Sequence, residues 1–450
     1  MKYSDNLNEL SLIEAINGIK EKQFSAKEVF SACKKQINEI DGKVRAFITV
    51  VKDNANGIPV AVKDNFNTKD ILTTASSNIL KDYLPLYNAT VYQKLLDGGF
   101  SLLGKTNMDS FAHGSSTETS DFFTTRNPWD LNRLPGGSSG GSAAAVISNE
   151  TIFAIGSETA GSIRQPASWC GVVGFKPTYG RISRYGLIAM ASSTDCPGPI
   201  TKTVDDAEYI YKLLAGKDEM DATSVDRPLV DSNTLPLNKI TIGIPKEYLS
   251  VAEPEVAKTI KKAAEVFAKA GCNVVEISLF DPRYAISVYT ILQRSEVSSN
   301  LARFDGIRYG MAREAFNEEN RRRIILGTYA LSAGYYDAYY KKAQQVRTVI
   351  CRDFDSVFGK IDAIVSPVSP SIAKKIGATK NDPMFGERED VLVEPSAIAG
   401  LPAISLPCGF VDKMPVGMQI IANKWREDII FTLAKYFEKE TEYHNQRPIL

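Results

Sequence analysis

Length, charge and cysteine usage narrow the classes to which this chain can belong. It has 450 residues, of which 44% are hydrophobic, and 53 basic side chains balance 53 acidic ones, so no overall field attracts nucleic acid or an anionic membrane. Six scattered cysteines without CxxC spacing and only two histidines exclude a Cys/His metal cluster. No apolar run reaches the roughly 18 residues of a membrane-spanning helix, and the acidic, amphipathic start MKYSDNLNELSLIEAI is unlike a signal peptide. A cytoplasmic location is therefore expected.

Helix and strand signals alternate along the chain. Capping boxes at Ser11–Glu14 and Ser25–Glu28 predict two N-terminal helices. The later signals predict strands at 46–51 and 58–62, a helix, turn and strand over 95–103, strands at 151–155 and 238–244, a helix at 254–270, a strand at 273–279, one or two long helices over 322–358 with a break near Gly334, strands at 361–365, 403–406 and 416–422, and a closing helix at 427–440.

This alternation indicates one domain rather than several. No polar linker divides residues 1–450, so the elements favour one large sheet layered by helices. The N-terminal helices of residues 1–45 are expected to pack on that domain. The polar stretch 218–236 is predicted to be a surface loop.

Two Gly/Ser-rich loops, residues 136–142 and 156–162, flank the predicted strand at 151–155. Loops of this composition can direct several backbone N–H groups and hydroxyls to one point. Neither loop ends in the GK[ST] of a P-loop, and neither fits GxGxxG in full. Nucleotide binding is therefore not favoured.

A serine nucleophile with a histidine base is also not favoured. Residues 137–141 match GxSxG, but that motif needs a strand feeding into it, and the preceding residues are rich in turn signals. His444 lies in the C-terminal tail, which leaves His113, for which a structural or exposed role is the better interpretation. The remaining base is Lys63, which follows the apolar run 58–62 and can accept a proton only if burial lowers its pKa. A lysine reaching out to solvent from a strand end is the alternative.

The residues thus support an acyl-transfer hypothesis beside a purely structural one. Backbone N–H groups around residues 156–161 could form an oxyanion hole, with Ser162 directly after them as the nucleophile. Ser138, in the other loop, could relay a proton between Lys63 and Ser162. The alternative is that both loops are glycine turns that only pack.

Three motifs resemble the amidase signature family: Lys63 within VAVKDNF, then GGSSGGSAAA, then GSETAGSIRQPAS. The resemblance implies an α/β fold with a single large mixed β-sheet covered by helices on both faces. It implies Ser162 as nucleophile, Ser138 as a bridging serine in a cis peptide and Lys63 as general base, with Ser139 and Ser142 supporting the loops. It also implies an oxyanion hole of backbone N–H groups from Thr159, Ala160, Gly161 and Ser162.

One position departs from the family pattern. The family usually has Asp-Thr-Gly-Gly-Ser where this chain has Glu158-Thr-Ala-Gly-Ser162. Alanine at position 160 keeps the N–H donor and fits unless the position needs a positive φ. Activity is therefore expected to survive the change.

Motifs at 298–310 (SSNLARFDGIRYG), 322–347 (RRIILGTYALSAGYYDAYYKKAQQVR) and 399–410 (AGLPAISLPCGF) resemble one branch of the family, the A subunits of glutamyl-tRNA(Gln) amidotransferases. This resemblance implies that Tyr289, Arg323 and Asp390 line a glutamine pocket. A free amino acid needs a cation for its carboxylate and an anion for its ammonium group, and Arg323 and Asp390 supply one of each. The alternative for Arg323 is a solvated helix face.

The branch also implies partners. Glutamine would be the substrate, and ammonia would pass to a B subunit that amidates Glu-tRNA(Gln), with Asp-tRNA(Asn) as a second candidate, beside a small C subunit. ATP and Mg would be bound by the partner, with no metal or cofactor in this chain, and tRNA would be met through the complex. A free-standing amidase acting on small amides and a catalytically inactive scaffold are the alternatives.

Overall fold

The chain is organised around one long sheet. The computed structural model describes residues 6–52, 56–232, 235–307 and 310–450. Outside these ranges lie the first five positions of the N-terminal stretch, residues 53–55, two positions of the predicted loop 218–236 and two of the motif 298–310. Eleven strands of the described residues form the sheet: β1 (Phe47–Val50), β2 (Ile58–Lys63), β3 (Phe100–Thr106), β4 (Phe153–Glu158), β5 (Val173–Lys176), β6 (Cys196–Thr201), β7 (Thr241–Pro245), β8 (Asn273–Ile277), β9 (Ala363–Pro367), β10 (Ala403–Val411) and β11 (Met414–Ala422).

The sheet is mixed and covered on both faces. Its strands stand in the order β1-β3-β2-β4-β6-β5-β10-β11-β9-β7-β8. β2 runs parallel to β3 and β4, and β7 runs parallel to β8 and β9, whereas β4, β6, β5, β10, β11 and β9 pair antiparallel in turn. Every residue of β2, β3 and β4 is buried, and successive side chains point to opposite faces. The expected α/β fold is confirmed.

Helices cover this sheet. Within the described residues the α-helices are α1 (Leu12–Lys20), α2 (Ala26–Val44), α3 (Thr90–Asp97), α4 (Gly140–Ile147), α5 (Arg164–Cys170), α6 (Val204–Leu214), α7 (Lys246–Val251), α8 (Pro254–Lys269), α9 (Arg283–Asn300), α10 (Glu318–Leu331), α11 (Lys342–Phe358), α12 (Phe385–Glu389), α13 (Glu394–Ile398) and α14 (Glu427–Glu440).

Several local signals are confirmed. Ser11 and Ser25 cap α1 and α2 through capping boxes in which each hydroxyl accepts the backbone N–H three residues on, at 3.2 Å. The stretch 322–358 is broken near Gly334, whose φ is +87°, and one π-helical segment, Asp337–Lys341, joins the break to α11. The closing helix has the predicted bounds.

Other elements differ from the prediction. β5 and β6 were not predicted, and β6 carries Pro197 and Pro199, residues that cannot donate to a ladder and so remove the strand signal. β4 runs from Phe153 to Glu158 rather than over 151–155. Gly156 therefore belongs to the strand and not to the loop. A Cβ at that position would come within 2.9 Å of the Ser139 hydroxyl, so this glycine marks a close approach between the two serine segments.

The stretch 218–236 has no helix or strand among its described residues, but its first part is anchored to the domain. The Asp218 carboxylate accepts a hydrogen bond from the Ser183 hydroxyl at 2.6 Å. Asp221 pairs with Arg184 at 3.0 Å. These contacts hold the start of the loop against the segment that connects β5 to β6.

Candidate active site

Lys63 lies at the end of β2, and its side chain stays inside the protein. Because all six residues of β2 are buried, the ammonium group leaves the strand within the core rather than at the surface. Its Nζ donates to the Ser138 hydroxyl at 2.8 Å and to the Ser157 carbonyl at 3.0 Å. Burial lowers the pKa of Lys63 to about 7, against an opposing effect of the Asp109, Asp195 and Glu158 charges. The solvent-reaching alternative for this lysine is wrong.

Ser138 is held by the first glycine loop, in which the Gly137–Ser138 peptide bond is cis, as the family resemblance implied. Gly136 takes a φ of +84°, a conformation that favours glycine. A Cβ on Gly137 would come within 2.2 Å of the Asp109 carboxylate. The glycines therefore let the loop pack directly against buried polar groups.

Two further serines join this loop to its surroundings. The Ser139 N–H donates to the Ser162 carbonyl at 3.1 Å, and its hydroxyl donates to the Ser157 carbonyl at 3.2 Å. The Ser142 hydroxyl bonds to that of Thr106 at 2.7 Å. The expectation that Ser139 and Ser142 support the loops is confirmed.

The second loop, residues 159–162, presents four consecutive backbone N–H groups. Among the residues that the structure describes, none of these N–H groups has an acceptor. Ala160 does not adopt a positive φ, so an alanine fits at this position without backbone strain. Gly161, by contrast, has no room for a side chain, because a Cβ would lie 2.4 Å from Val393. The loop thus leaves four backbone N–H groups without acceptors among the described residues, and an oxyanion hole would need such donors.

A buried ion pair holds this loop in place. Arg164 donates from Nε to the Glu158 carboxylate at 2.8 Å and from Nη2 to the Ala160 carbonyl at 2.9 Å. Glu158 also accepts the N–H groups of Ile163 and Arg164 at 3.1 Å, which favours a negative charge at the start of α5. Both partners are fully buried, so the loop is anchored on each side of Ser162.

One narrow cavity brings the predicted site residues together. Ser162, Tyr289, Arg323 and Asp390 all line it, although they come from α9, α10 and segments far apart in the chain. The volume open to water molecules is about 10 Å³. A wider outer cavity of about 680 Å³ adjoins it and shares Ser115, Arg323 and Glu387. The structure therefore places the candidate nucleophile Ser162 and the three candidate pocket residues around one cavity.

Arg323 is not a solvated side chain. It is 5% exposed and pairs with Glu319 at 2.6 Å and with Glu387 at 3.8 Å. Glu387 in turn accepts from Arg294 at 2.7 Å. The carboxylates Glu319 and Glu387 raise the pKa of Arg323 against the effect of burial, so the guanidinium remains charged inside the cavity.

Asp390 lies across the cavity with a partly satisfied carboxyl group. Its Oδ2 accepts from the Ser115 hydroxyl at 2.6 Å, whereas Oδ1 has no partner among the described residues. Burial, and to a lesser extent the charges of Glu158 and Glu387, raise the pKa of Asp390 well above its ordinary value. The group is thus placed to ionise when a cation binds.

The histidine and GxSxG interpretations fail in the structure. His113 is fully buried, neither ring nitrogen has a partner among the described residues, and burial lowers its pKa well below the ordinary value. Its role as a base is therefore not supported, and an exposed position for it is wrong. No named strand lies between β3 and α4 in the described chain, so Ser139 is not on a strand-to-helix elbow.

Sequence reasoning missed several residues of the site, namely Ser115, Asp109, Asp195, Arg294, Glu387 and Glu394. Glu387 and Glu394 lie three before and four after Asp390 in sequence, a helical spacing that could have indicated one shared face. The others carry no local signal, because only the fold brings them to the cavity.

The described residues contain neither a cluster that could hold a metal ion nor a helix that could span a membrane. No group of three or more His, Cys, Asp or Glu side chains among them could hold a metal ion. No helix in this part of the chain is both long and apolar enough to cross a membrane.

Nearly the whole chain matches one protein family. The family model described as Amidase covers residues 10–431. The chain belongs to the amidase family. Among relatives in this family, the chain is 47% identical to the A subunit of glutamyl-tRNA(Gln) amidotransferase from Geobacillus kaustophilus. The alignment is 471 positions long, gaps included, and covers 96% of this chain and 97% of the relative. The chain is 49% identical over an alignment of 484 positions to the corresponding protein of Thermodesulfovibrio yellowstonii, covering 99% and 100%.

Solved amidase structures share the architecture. The A subunit of glutamyl-tRNA(Gln) amidotransferase from Thermotoga maritima superposes with a TM-score of 0.88 at 40% identity, covering 100% of this chain and 99% of that one. The peptide amidase of Stenotrophomonas maltophilia superposes with a TM-score of 0.82 at 26% identity, covering 97% and 98%. The amidase fold is thus common to proteins named for different substrates, and the substrate must be argued from the pocket.

Proposed function

We propose that this chain is a glutaminase that hydrolyses the side-chain amide of glutamine and supplies ammonia for amide transfer. The observation that carries the proposal is the 2.8 Å bond from Lys63 Nζ to the Ser138 hydroxyl, in a site whose Ser162 lines the substrate cavity. A lysine with a pKa of about 7 is neutral often enough near neutral pH to act as a base.

Acylation begins with proton transfer from Ser162. In the proposed reaction the Ser162 proton moves to Ser138 as the Ser138 proton moves to neutral Lys63. The Ser162 Oγ forms a bond to the amide carbon of glutamine, and the carbonyl oxygen gains the negative charge. The four N–H groups of residues 159–162 would hold this oxyanion.

Collapse of the intermediate breaks the carbon–nitrogen bond. The protonated Lys63 returns its proton through Ser138 to the leaving nitrogen, so ammonia departs as a neutral molecule. Water then attacks the glutamyl ester under the same base, and glutamate leaves. The lysine is neutral again at the end of the cycle.

The pocket supports a free amino acid as substrate. Arg323 offers a buried cation for a carboxylate, and Asp390 offers a buried carboxyl oxygen without a partner among the described residues for an ammonium group. Tyr289, also buried on the cavity wall, would contact the substrate between them. A small uncharged amide would leave the unpartnered Asp390 oxygen without a counterpart.

We further propose that the ammonia serves a cytoplasmic amidotransferase built of several different chains. The support is the 47–49% identity with relatives named as the A subunit of glutamyl-tRNA(Gln) amidotransferase. A B-type partner would bind ATP and Mg and amidate Glu-tRNA(Gln), with Asp-tRNA(Asn) as a second candidate acceptor, and a small C-type partner would complete the complex. The tRNA would contact the complex rather than this chain alone.

Ser162→Ala tests the proposal. The full chain, alone and combined with B- and C-type partners, is assayed for ammonia release from glutamine, and the variant is expected to lose about 10³-fold or more. Ser168→Ala, a buried serine of the neighbouring helix α5 that accepts from the Gly417 N–H, is the matched control and should retain activity. A serine-directed electrophile should label Ser162 alone.

Two outcomes would redirect the assignment. Retained glutamine hydrolysis in Ser162→Ala would rule out the proposed nucleophile. Rapid turnover of simple aliphatic amides, unaffected by Asp390→Asn, would instead favour a free-standing amidase.

A further inference from the structure

Glu394 is a carboxyl group in the cavity that the proposed reaction does not yet use. It begins α13, is 0% exposed, and lines the same space as Ser162 and Asp390. Neither carboxyl oxygen has a hydrogen-bond partner among the described residues. A fully buried carboxyl group without partners is costly to the fold, so the structure gives no packing reason for a glutamate here.

The backbone brings Glu394 and Asp390 to one side of the cavity. The Glu394 N–H donates to the Asp390 carbonyl at 2.9 Å, which closes one turn between the two residues. Burial, and next the charge of Asp390, raise the pKa of Glu394 well above its ordinary value. The two carboxyl groups therefore act on each other and share a need for positive charge.

The cations of the site do not meet that need. Arg323 is paired with Glu319 and Glu387, and Arg294 is paired with Glu387. Asp390 and Glu394 both line the cavity, and the Asp390 Oδ1 and both Glu394 oxygens are buried acceptors for which the described residues supply no donor. An ammonium group carries one positive charge and three donors, so it can donate to both carboxyl groups at once.

We infer that Glu394 binds the α-ammonium group of the amino-acid substrate together with Asp390, and so makes the site select amides that carry a free α-amino group. The inference rests on the proposed function, because it takes glutamine as the substrate. One of the two carboxyl groups ionises to match the single ammonium charge, and the other keeps its proton, since two adjacent carboxylates would repel each other.

The substitutions Glu394→Gln and Glu394→Met separate binding from structure. Ammonia release by the full chain is measured over a range of glutamine concentrations. Glu394→Gln is expected to raise KM for glutamine about 10- to 100-fold, the usual cost of losing a hydrogen bond to a charged group in a buried site, with kcat changed less than about threefold. Glu394→Met should raise KM at least as much.

Glutaramate, which is glutamine without its α-ammonium group, provides the matched ligand. Measured as a competitive inhibitor of glutamine hydrolysis, it should bind Glu394→Gln and Glu394→Met as well as the unchanged chain, or better, because it never uses Glu394. Glu389→Gln is the control variant: Glu389 lies in the same segment but bonds to Ser369 and Ser371, and its KM should stay unchanged.

The possible results distinguish a failure of the inference on Glu394 from a failure of the proposed function. An unchanged glutamine KM in Glu394→Gln, or equal losses toward glutamine and glutaramate, would overturn the inference while leaving the glutaminase proposal intact. A lower melting temperature in both Glu394 variants would also overturn it, since it would show a structural role; removing an unpaired buried carboxyl group should leave stability equal or higher. Absence of glutamine hydrolysis by the unchanged chain would instead count against the proposed function itself.

Discussion

Lys63 is expected to set the pH dependence of glutamine hydrolysis. Only the neutral amine can take the serine proton, so kcat/KM should rise with pH until Lys63 is deprotonated. The acid limb of the profile should therefore have an apparent pKa of about 7, the value to which burial lowers the pKa of this lysine.

Burial changes the protonation equilibrium of Lys63 by a large factor. The pKa of Lys63 falls from 10.5 to about 7, which corresponds to about 5 kcal/mol of preference for the neutral form. At pH 7 about half of the molecules then carry a neutral lysine, compared with roughly one in three thousand at the ordinary pKa. Lys63→Arg keeps a charge at every accessible pH and should lower kcat/KM about 10²- to 10⁴-fold.

A second variant tests whether the limb belongs to Lys63. The Asp109 charge raises the pKa of Lys63, so Asp109→Asn should move the acid limb to lower pH. Asp121→Asn changes a carboxyl group of the same segment that bonds to the Asn78 N–H and should leave the limb in place. The assay is ammonia release from glutamine between about pH 5.5 and 9, with kcat/KM fitted to a single ionisation.

Two results would refute this reasoning. A profile that stays flat through neutral pH in the unchanged chain would show that no group with a pKa near 7 controls the chemistry. An acid limb that stays fixed in Asp109→Asn while the rate changes would assign the ionisation to another group. Either result would remove Lys63 from the role of base.

Two further predictions concern the loop that carries Ser162. Gly161→Ala should lower kcat about 100-fold or more, because its Cβ would meet Val393 at 2.4 Å and displace the N–H donors; Ala160→Gly is the control in steady-state assays, and equal activity of the two variants would contradict the reasoning. Arg164→Met should cost about 3–5 kcal/mol in the free energy of unfolding, because it leaves buried Glu158 without its cation. Urea unfolding measures this, and a loss below about 1 kcal/mol would show that the pair does not anchor the loop.

The proposed catalytic residues were predictable from the sequence because each one lies in a recognisable short-range pattern. Lys63 follows an uninterrupted apolar run, and Ser138 and Ser162 sit in glycine loops whose spacing is a motif. Short-range patterns of this kind indicate the backbone conformation. The hydrogen bond from Lys63 to Ser138 agrees with the positions that these patterns predict. The single large sheet was predictable from the alternation of helix and strand signals, and its mixed strand directions from the family resemblance.

The rest depends on contacts that no local pattern records. Ser115 reaches Asp390 across 275 positions of sequence, and nothing in either segment indicates the other. The central strand β6 was missed because its prolines oppose the usual strand signal. Glu394 has a charged side chain, which the sequence favours as exposed, whereas the fold buries it completely.

Arg323 must exchange partners for the proposed substrate to bind. In the structure its guanidinium lies 3.8 Å from Glu387, a weaker contact than the 2.7 Å bond that Glu387 accepts from Arg294. A substrate carboxylate can therefore bind Arg323 while Glu387 remains neutralised by Arg294 and Glu319 by Arg322, so no buried charge is left alone. Arg323 and Glu387 line both the inner and the outer cavity, so the proposed carboxylate site lies where the two cavities meet.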